Sequence, residues 1–273
     1  MSVRPWRWCL DGSRDPLPTD VAGLPDLPDA FHDALDHALN AVGLTLRPDA
    51  RAAIEAHVRL LVAWNMHLNL TAIRDPAAIA IDHVVDSLAA IPLLHAVGAA
   101  ELLDLGSGGG FPGLPIAVAL PADRALLVDS IAKKALFLRT AVHAMGLSGT
   151  VDVATDRAEA LAGRAEHRER WPVVTARAVG TLVDVVEIGL PLVATGGILV
   201  AWKRRPLDAE LDAGSELIAA LGGERPRIVD VGLPGRPDNV LVVVEKSRRT
   251  PSDYPREPAV RRRRVDRDDR RVR

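Results

Sequence analysis

The residues best suited to chemistry are the glycines of "DLGSGGGFPG", residues 104–113, which lie between the apolar runs "ELL" and "LPIAVAL". Glycine loses more conformational freedom on folding than any other residue, so a cluster between two buried segments needs a physical reason. A common reason is close approach of the backbone to a ligand. Gly106, Gly108 and Gly110 would leave no Cβ atom between the chain and that ligand.

Asp129 is the second candidate, at the end of the apolar run "LLV" and roughly 20 residues beyond the loop. If "ELLDL" and "RALLV" are parallel strands, the loop and Asp129 both lie at the carboxyl edge of the sheet, where open α/β sheets bind ligands. An acidic side chain at that place accepts hydrogen bonds from ribose hydroxyls. The two features together predict a nucleoside-type ligand.

The turn after the glycines narrows the class of ligand. The sequence contains no G-x-x-x-x-G-K-[ST] pattern, which excludes a phosphate-binding P-loop. Phe111, Pro112 and Pro115 crowd the turn, and prolines lack the N–H donors that a pyrophosphate would need. S-adenosylmethionine carries a sulfonium in place of phosphates, so it is the cofactor that we predict.

His83 and Asp86 are spaced i, i+3 on one predicted helix face, with Asp82 beside them. The three side chains could ligate a metal, but no third cluster with metal-ligand spacing accompanies them. We therefore predict a polar cap or an interdomain network, and no metal site.

One interpretation of a polar and aromatic set at the end of a predicted helix is stacking on RNA bases; the set is Trp64, Asn65, His67 and Asn69. We expect Trp64 to pack in the core instead. We expect Asn65 and Asn69 to end the helix through hydrogen bonds.

Two basic clusters flank the predicted ligand-binding edge. Lys203, Arg204 and Arg205 follow the fifth predicted strand, where contact with phosphate is the favoured interpretation. Lys133 and Lys134 follow Asp129 on the next helix, where they could contact phosphate or form its solvated face, and we expect the solvated face.

Two kinds of structure must position these residues. Helical periodicity predicts an N-terminal helical region over residues 29–97. Strand–helix alternation over residues 98–246 predicts a doubly wound, Rossmann-like α/β fold with a seven-stranded, mostly parallel sheet. Its last strand follows the previous one after only a turn, so it should be reversed, an arrangement that is typical of the class I methyltransferase fold. The proline-rich residues 1–28 and the basic residues 247–273 are predicted to be a disordered leader and tail.

The composition is that of a soluble globular protein, with 48% hydrophobic and 26% charged residues among 273. The net charge of −2 combines residues 1–245, at −9, with residues 246–273, whose 12 basic and 5 acidic side chains give +7. Such a tail indicates a polyanionic partner or a solvated terminus, and both interpretations stay open. Cys9 is the single cysteine, and the sequence has neither a secretory h-region nor an apolar run of roughly 20 residues, so we expect a cytoplasmic protein without a membrane partner.

From Trp64 to Arg256 the sequence resembles the RsmG (GidB) family of 16S rRNA guanine-N7 methyltransferases. The ordered set of segments carries the resemblance, since each segment alone is loose. The segments are "WNMHLNLTAI", "HVVDSL", "DLGSGGGFPGLPIA", "VDSIAKKALFL", "DRAEAL", "TARAVGTL", "GGILVAWK" and "YPR". The family often has Lys-Gly where this chain has Lys203-Arg204, which alters the loop over the target.

The resemblance implies a set of site residues. Gly106 and Phe111 would contact the cofactor in the loop, Asp129 would hold its ribose, and Arg177 would lie at the cofactor or target pocket. The predicted cofactor-binding residues are Gly106, Ser107, Gly108, Phe111, Asp129, Ala158, Glu159 and Arg177, with Ala158 and Glu159 on the adenine side. The implied partner is 16S rRNA or the small ribosomal subunit, and the implied target is the guanosine at position 527 in the 530 loop.

Methylation at guanine N7 needs no general base, because N7 offers a lone pair and has no proton to lose. Positioning is then the main catalytic contribution. Arg177 is the predicted catalytic residue, which orients the base or the cofactor carboxylate and takes no proton. Two alternatives stay open: a methyltransferase for a protein or small molecule, and a non-catalytic adenosyl- or RNA-binding module. The sequence does not determine the oligomeric state, and a monomer is the favoured prediction.

Overall fold

The central sheet contains seven strands within residues 17–120 and 124–256, which are the residues that this computed structural model describes. The strands are β1 (Glu101–Leu105), β2 (Arg124–Val128), β3 (Val151–Ala154), β4 (Trp171–Arg177), β5 (Val193–Arg204), β6 (Arg227–Asp230) and β7 (Asn239–Glu245). Their order across the sheet is β3-β2-β1-β4-β5-β7-β6. β1 to β5 pair in parallel, and β7 runs antiparallel to both β5 and β6. The prediction of a mostly parallel sheet with a reversed last strand is confirmed.

Helices cover both faces of this sheet. They are α1 (Asp29–Ala41), α2 (Pro48–Leu68), α3 (Pro76–Ile79), a π-helical segment (Ala80–Val85), α4 (Asp86–Leu88), α5 (Ile91–Ala96), α6 (Gly113–Ala119), α7 (Ala132–Ala144), α8 (Ala158–Ala162), α9 (Leu182–Gly189) and α10 (Asp208–Ala220). Several begin as the sequence predicts. Pro48 and Pro76 occupy first turns, and the Asp75 side chain accepts a hydrogen bond from Ala78 N at 2.8 Å.

Alternate residues of the strands pack into two separate hydrophobic clusters, one on each face of the sheet. Leu102 packs in one cluster with Phe31 and Val84 of the N-terminal helices, whereas its neighbour Leu103 packs in the other cluster with Val186 of α9. This is the period-two alternation of a strand that is buried on both faces. The helical N-terminal region therefore shares the core of one sheet face.

The structure at the end of α2 tests the predictions for Trp64, Asn65 and Asn69. Trp64 is buried and its ring lies 5.5 Å from that of Phe137, which confirms core packing. Asn65 Nδ2 donates to the Thr71 carbonyl, and Asn65 Oδ1 accepts from Thr71 N, both at 2.9 Å. These bonds are expected for a residue that ends the helix. Asn69 ends α2 through a left-handed backbone, φ +48°, and not through a side-chain hydrogen bond within the described residues.

Residues 17–28 differ from the predicted disordered leader. They contain no helix or strand before Asp29, but Leu17, Val21, Leu24 and Leu27 pack against the core. The Arg59 side chain donates to the carbonyls of Pro25, at 2.9 Å, of Val21 and of Leu24. Hydrogen bonds from Arg59 of α2 therefore hold this segment in place. The sequence of residues 17–28 gives no sign of these bonds, because it has no periodic apolar pattern.

Residues 247–256 also differ from the predicted disordered tail. Arg168 donates to the carbonyls of Thr250, Pro251 and Tyr254 at 2.7–3.2 Å. Arg256 pairs with the buried carboxylate of Glu187, with Nε and Oε1 2.7 Å apart. Residues 1–16, which include Cys9, and residues 257–273 lie outside the described residues, so the remaining predictions for leader and tail stay predictions.

One helical stretch, Pro76–Ala96, is long and apolar enough to cross a membrane by length and composition. The sequence analysis predicted no apolar run of this length, so this finding differs from that prediction. The stretch is weak support for a membrane span, because 56% of its most apolar window is buried inside the protein and core helices pass the same test. Val84 and Leu88 lie fully buried in the core.

Candidate cofactor and substrate cleft

A cleft of about 580 Å³ lies where β1, β4 and β5 end at the carboxyl edge of the sheet. Its wall combines the glycine loop, the ends of β4 and β5, the start of β7 and the helical N-terminal region. The lining residues are Leu70, Thr71, Asp82, His83, Asp86, Gly106, Ser107, Gly108, Gly109, Phe111, Lys134, Arg177, Ala178, Gly180, Trp202, Lys203, Arg204 and Asn239. The structure thus brings five predicted site residues to one cleft: Gly106, Ser107, Gly108, Phe111 and Arg177.

The glycines of the loop serve two different purposes. Gly106 has φ +66°, and an added Cβ would lie 2.9 Å from Val179 Cγ2. Gly110 has φ +88°, and an added Cβ would lie 2.5 Å from Leu114 Cδ1 and 2.8 Å from His57 Nε2. The packing of the loop itself therefore requires glycine at both positions. At Gly108 an added Cβ would meet only Gly106 O at 3.7 Å, so the open side of the loop is here.

Asp104 anchors this loop, a role that the sequence analysis missed. It is the penultimate residue of β1 and is fully buried. Its carboxylate accepts hydrogen bonds from Thr175 Oγ1 at 2.7 Å and from Gly113 N at 3.2 Å. Burial raises the pKa of its carboxyl to about 6. Ser107 Oγ donates to the Asp104 carbonyl at 3.1 Å, so Ser107 both lines the cleft and closes the turn. A carboxylate inside an apolar strand was the signal available in the sequence.

Asp129 lies at the end of β2, as predicted, and touches the loop directly. Its Oδ2 accepts a hydrogen bond from Gly108 N at 3.0 Å, and its Oδ1 accepts one from Ile131 N at 2.8 Å. Each carboxylate oxygen has a second lone pair, so these bonds leave acceptor capacity for a ribose hydroxyl. Asp129 does not line the cleft, and its contact with ribose stays a prediction.

Ala158 and Glu159 form the first turn of α8, which follows β3 at the same edge of the sheet. β3 pairs with β2 and lies beyond it from the cleft. Neither residue lines the cleft. Their assignment to the adenine side therefore stays a prediction.

Arg177 ends β4 and is held on three sides. Its Nη1 lies 3.1 Å from Asp86 Oδ2, its Nη2 donates to His83 Nδ1 at 3.0 Å, and its guanidinium carbon lies 5.4 Å from the centre of the Phe111 ring. Its side chain is 15% exposed. This fork joins the helical N-terminal region to the glycine loop, which confirms the prediction that His83 and Asp86 form a polar network.

His83 takes part in this network as a neutral ring. Burial and the nearby charge of Arg177 lower its pKa to about 3. Because Nδ1 accepts from Arg177, Nε2 carries the proton and donates to Thr71 Oγ1 at 2.6 Å. The ring also stacks on Phe111, with the two centres 4.8 Å apart and the planes 18° apart.

Asp86 is the other support of Arg177. It is buried, and burial raises the pKa of its carboxyl while the charge of Arg177 opposes that shift. Asn239 Nδ2 donates to Asp86 Oδ1 at 3.0 Å, and Trp202 Nε1 donates to the Asp86 carbonyl at 2.8 Å. Among the described residues, no group of three His, Cys, Asp or Glu side chains is arranged to hold a metal ion.

His57 of α2 is a site residue that the sequence analysis did not find. It is fully buried, and its Nε2 lies 2.7 Å from Gly109 O. The centre of its ring lies 4.7 Å from that of Phe111. Burial lowers its pKa to about 4, so the ring is neutral and Nε2–H donates to the loop. No local signal links His57 to Gly109, because 52 residues separate them.

The basic residues divide into two groups. Lys203 Nζ binds Glu210 Oε2 at 2.6 Å and Gly180 O at 2.9 Å, and Arg205 Nη2 lies 2.8 Å from Asp230 Oδ1. Arg204 lines the cleft and is exposed. Lys134 lines it too, which differs from the predicted solvated face, whereas its neighbour Lys133 is exposed and does not.

Similarity to known proteins agrees with this arrangement. A family profile described as GidB, rRNA small subunit methyltransferase G, matches residues 50–237. The chain belongs to the GidB family. The RsmG (GidB) resemblance of the sequence is thereby confirmed.

Individual GidB relatives match most of the chain. Ribosomal RNA small subunit methyltransferase G of Dehalococcoides mccartyi strain CBDB1 is 36% identical over 227 residues, which cover 83% of this chain and 96% of that protein. The protein of the same name from Roseiflexus castenholzii strain DSM 13941 is 43% identical over 196 residues, which cover 72% of this chain and 83% of that protein.

The fold of this GidB chain also matches a solved methyltransferase. The crystal structure of an O-methyltransferase from Bacillus cereus, in complex with SAH, aligns with a TM-score of 0.52 and 18% identity. The alignment covers 79% of this chain and 100% of that one. At this identity the likeness shows the fold alone, and it confirms the Rossmann-like methyltransferase fold.

Proposed function

We propose that this GidB protein transfers a methyl group from S-adenosylmethionine to N7 of a guanosine in 16S rRNA, at position 527 of the 530 loop. The observation that carries the proposal is the match of residues 50–237 to a family described as rRNA small subunit methyltransferase G. The cleft supports it, because its glycine loop, Arg177 and cationic rim meet at the edge where α/β sheets bind ligands.

The residues present fit the cofactor. The loop is open at Gly108, where an added side chain would meet nothing closer than 3.7 Å, and Asp129 lies directly against that residue. Pro112 and Pro115 leave the following turn poor in N–H donors, which suits a ligand without phosphates. When bound, S-adenosylmethionine supplies an electrophilic methyl group on a sulfonium.

The side chains of the cleft are arranged to position a nucleophile. His83 is neutral, but both of its ring nitrogens are already bonded, to Arg177 and to Thr71, so it is not placed to take a proton. Arg177 stays charged at any working pH and presents a planar fork. Alkylation of N7 needs no proton acceptor, and orientation is the contribution that these residues can make.

Arg177 is the residue to which we assign that orientation. Its Asp86 and His83 contacts fix the guanidinium plane over Phe111, next to the open loop. From that place it would orient the base or the carboxylate of the cofactor. Asp82 and Asp86 also line the cleft, and they balance the charges of Arg236 and Arg177 beside the site where the cation passes from sulfur to purine.

A methyl-transfer assay tests the proposal. The protein is incubated with methyl-labelled S-adenosylmethionine and one acceptor: small subunits from cells that lack this protein, 16S rRNA freed of protein, or a protein and metabolite extract. We expect label in RNA alone, at one guanosine that N7-specific cleavage maps to the 530 loop. Label in protein or in small molecules would support the first rival function, and cofactor binding without transfer would support a non-catalytic module.

The same assay compares the two RNA acceptors. Faster transfer to small subunits than to free RNA would identify an assembling particle as the substrate. A monomeric state and a cytoplasmic location stay predictions, which size-exclusion chromatography with light scattering and cell fractionation would check.

A further inference from the structure

Four cationic side chains line the cleft: Lys134, Arg177, Lys203 and Arg204. Two of them are neutralised within the protein. Arg177 pairs with Asp86, and Lys203 pairs with Glu210, and their side chains are only 15% and 10% exposed. Pairing of this kind balances the two charges, so neither side chain adds net positive charge that would attract a polyanion to the cleft.

Lys134 and Arg204 have no such partner. Within residues 17–120 and 124–256, neither side chain makes a hydrogen bond or an ion pair, and Arg204 is exposed while Lys134 is half-buried. Their neighbours in sequence differ, because Arg205 pairs with Asp230 and Lys133 does not line the cleft. The pattern leaves two available positive charges at this site.

These two charges approach the cleft from opposite flanks. Lys134 lies in the first turn of α7, which follows β2, and Arg204 ends β5. β1 and β4 lie between β2 and β5, so these two strands are three strand spacings apart, on the order of 14 Å. A single phosphate does not span that interval, whereas a nucleotide chain crossing the cleft presents several.

The chemistry of the target requires such contacts. Guanine N7 in an RNA helix lies in a deep, narrow groove that side chains do not enter, so the nucleotide must leave its stack to reach a recessed site. Residues 1–245 carry a net charge of −9, which repels RNA unless positive charge is available locally.

We propose that Lys134 and Arg204 bind the backbone phosphates on the two sides of the target nucleotide and hold it across the cleft. This inference rests on the proposed function, and it assigns RNA contacts to residues on both flanks of the same site. It leaves Arg177 and Lys203 as internally paired residues of the cleft wall.

The test uses the full-length protein with Lys134→Gln, Arg204→Gln and the double variant. Lys133→Gln and Arg205→Gln are matched controls, since each removes a neighbouring charge that does not line the cleft. Equilibrium binding of small subunits from cells lacking the protein is measured at several KCl concentrations. Binding of S-adenosylhomocysteine is measured by calorimetry on the same samples.

We expect each cleft variant to lower the slope of log affinity against log salt by about 0.7–0.9, and the double variant to lower it by about twice that amount. Affinity for subunits should fall roughly threefold to tenfold per variant at moderate salt. The controls should match wild type, Arg204→Lys should keep most of the slope, and S-adenosylhomocysteine binding should not change.

Two results would overturn the inference. One is an unchanged salt slope in both cleft variants. The other is weaker S-adenosylhomocysteine binding with unchanged subunit binding, which would place the cation at the cofactor carboxylate instead. Failure of wild type to methylate RNA would be a failure of the proposed function, and the binding assay distinguishes the two because it requires no turnover.

Discussion

At the scale of the residue, the site depends on one phenyl ring. The centre of the Phe111 ring lies 4.7 Å from that of His57, 4.8 Å from that of His83 and 5.4 Å from the guanidinium carbon of Arg177. Both imidazoles are neutral, so neither repels the guanidinium. The ring therefore holds the glycine loop and Arg177 in a fixed relation.

Replacing Arg177 with lysine should lower kcat/KM for methyl transfer to small subunits by about tenfold or more, which corresponds to about 1.4 kcal/mol. Lysine keeps the charge but cannot bond Asp86 and His83 with two arms of a planar fork. Thermal melting should confirm that the variant folds.

Arg170→Lys provides a matched control, because Arg170 forms a surface ion pair with Glu101 outside the cleft. Full turnover by Arg177→Lys would show that the fork does not orient the base or the cofactor.

Gly113 at the start of α6 offers a test of loop packing. An added Cβ would lie 2.4 Å from Leu127 Cδ2 and 2.8 Å from Asp104 Oδ2, both of fully buried residues. Alanine gains about 1 kcal/mol of helix propensity, but overpacking a core costs about 1–3 kcal/mol. Gly113→Ala should therefore lower the free energy of unfolding in urea, whereas Gly149→Ala, with nothing within 4 Å, should not. Equal stability of the two variants would contradict this account.

At the scale of the element, the N-terminal helices are part of the cleft. α2 supplies His57 to the loop, the π-helical segment supplies His83, and α4 begins with Asp86. Asp82 of the same segment binds Arg236 in the turn before β7 through both carboxylate oxygens, with contacts of 2.6 and 2.8 Å. The helical region thus connects the glycine loop after β1 to the turn before β7.

Periodicity was enough to predict the elements. Alternating runs predicted the strands and their order in the chain, and the short β6–β7 connection predicted the reversed strand. Periodicity could not predict which distant side chains meet. Arg177 and Asp86 are 91 residues apart, and His57 and Gly109 are 52 apart, so only the assembled core brings them together.

Aperiodic segments escaped prediction for a related reason. Residues 17–28 and 247–256 have no apolar repeat, and their order depends on arginines placed elsewhere in the chain. Arg59 and Arg168 each bond several backbone carbonyls, an arrangement that leaves no signal in the segment being held. Asp129 was easier to predict, because a charge that ends an apolar run is visible in the sequence.

Replacing Arg168 with methionine should release the segment 247–256. Its guanidinium bonds the carbonyls of Thr250, Pro251 and Tyr254, and bonds from a charged donor contribute about 1.5–3 kcal/mol each. Amide hydrogen exchange at Thr250 and Tyr254 should accelerate by about tenfold or more, while the strand amides keep their protection. Arg164→Met, which removes only a partly exposed ion pair with Asp156, should leave the segment protected. Unchanged exchange in Arg168→Met would show that the segment is held by other contacts.

At the scale of the whole molecule, buried titratable groups make stability depend on pH. The pKa of His57 falls from 6.5 to about 4 and that of His83 from 6.5 to about 3, so the unfolded chain binds more protons than the folded one below pH 6.5. Each histidine then removes about 1.4 kcal/mol of stability per pH unit until its folded pKa is reached. Asp104 acts in the opposite direction between pH 6 and 3.8, because its folded pKa is raised from 3.8 to about 6.

The balance of these groups predicts that the protein is less stable in mild acid. His57, His83 and Asp104 together remove about 3 kcal/mol from the free energy of unfolding in urea between pH 6.5 and 4.5. The raised pKa of Asp86 opposes this loss, and the lowered pKa of His167 adds to it. His57→Phe keeps an aromatic ring against Phe111 and Phe137 but removes one titrating group. Its stability should therefore change with pH by about 1.4 kcal/mol less per unit than that of wild type, whatever its absolute stability. His37→Ala, at an exposed position of α1, should keep the wild-type slope. Equal slopes in His57→Phe and wild type would show that His57 does not remain neutral in the folded protein.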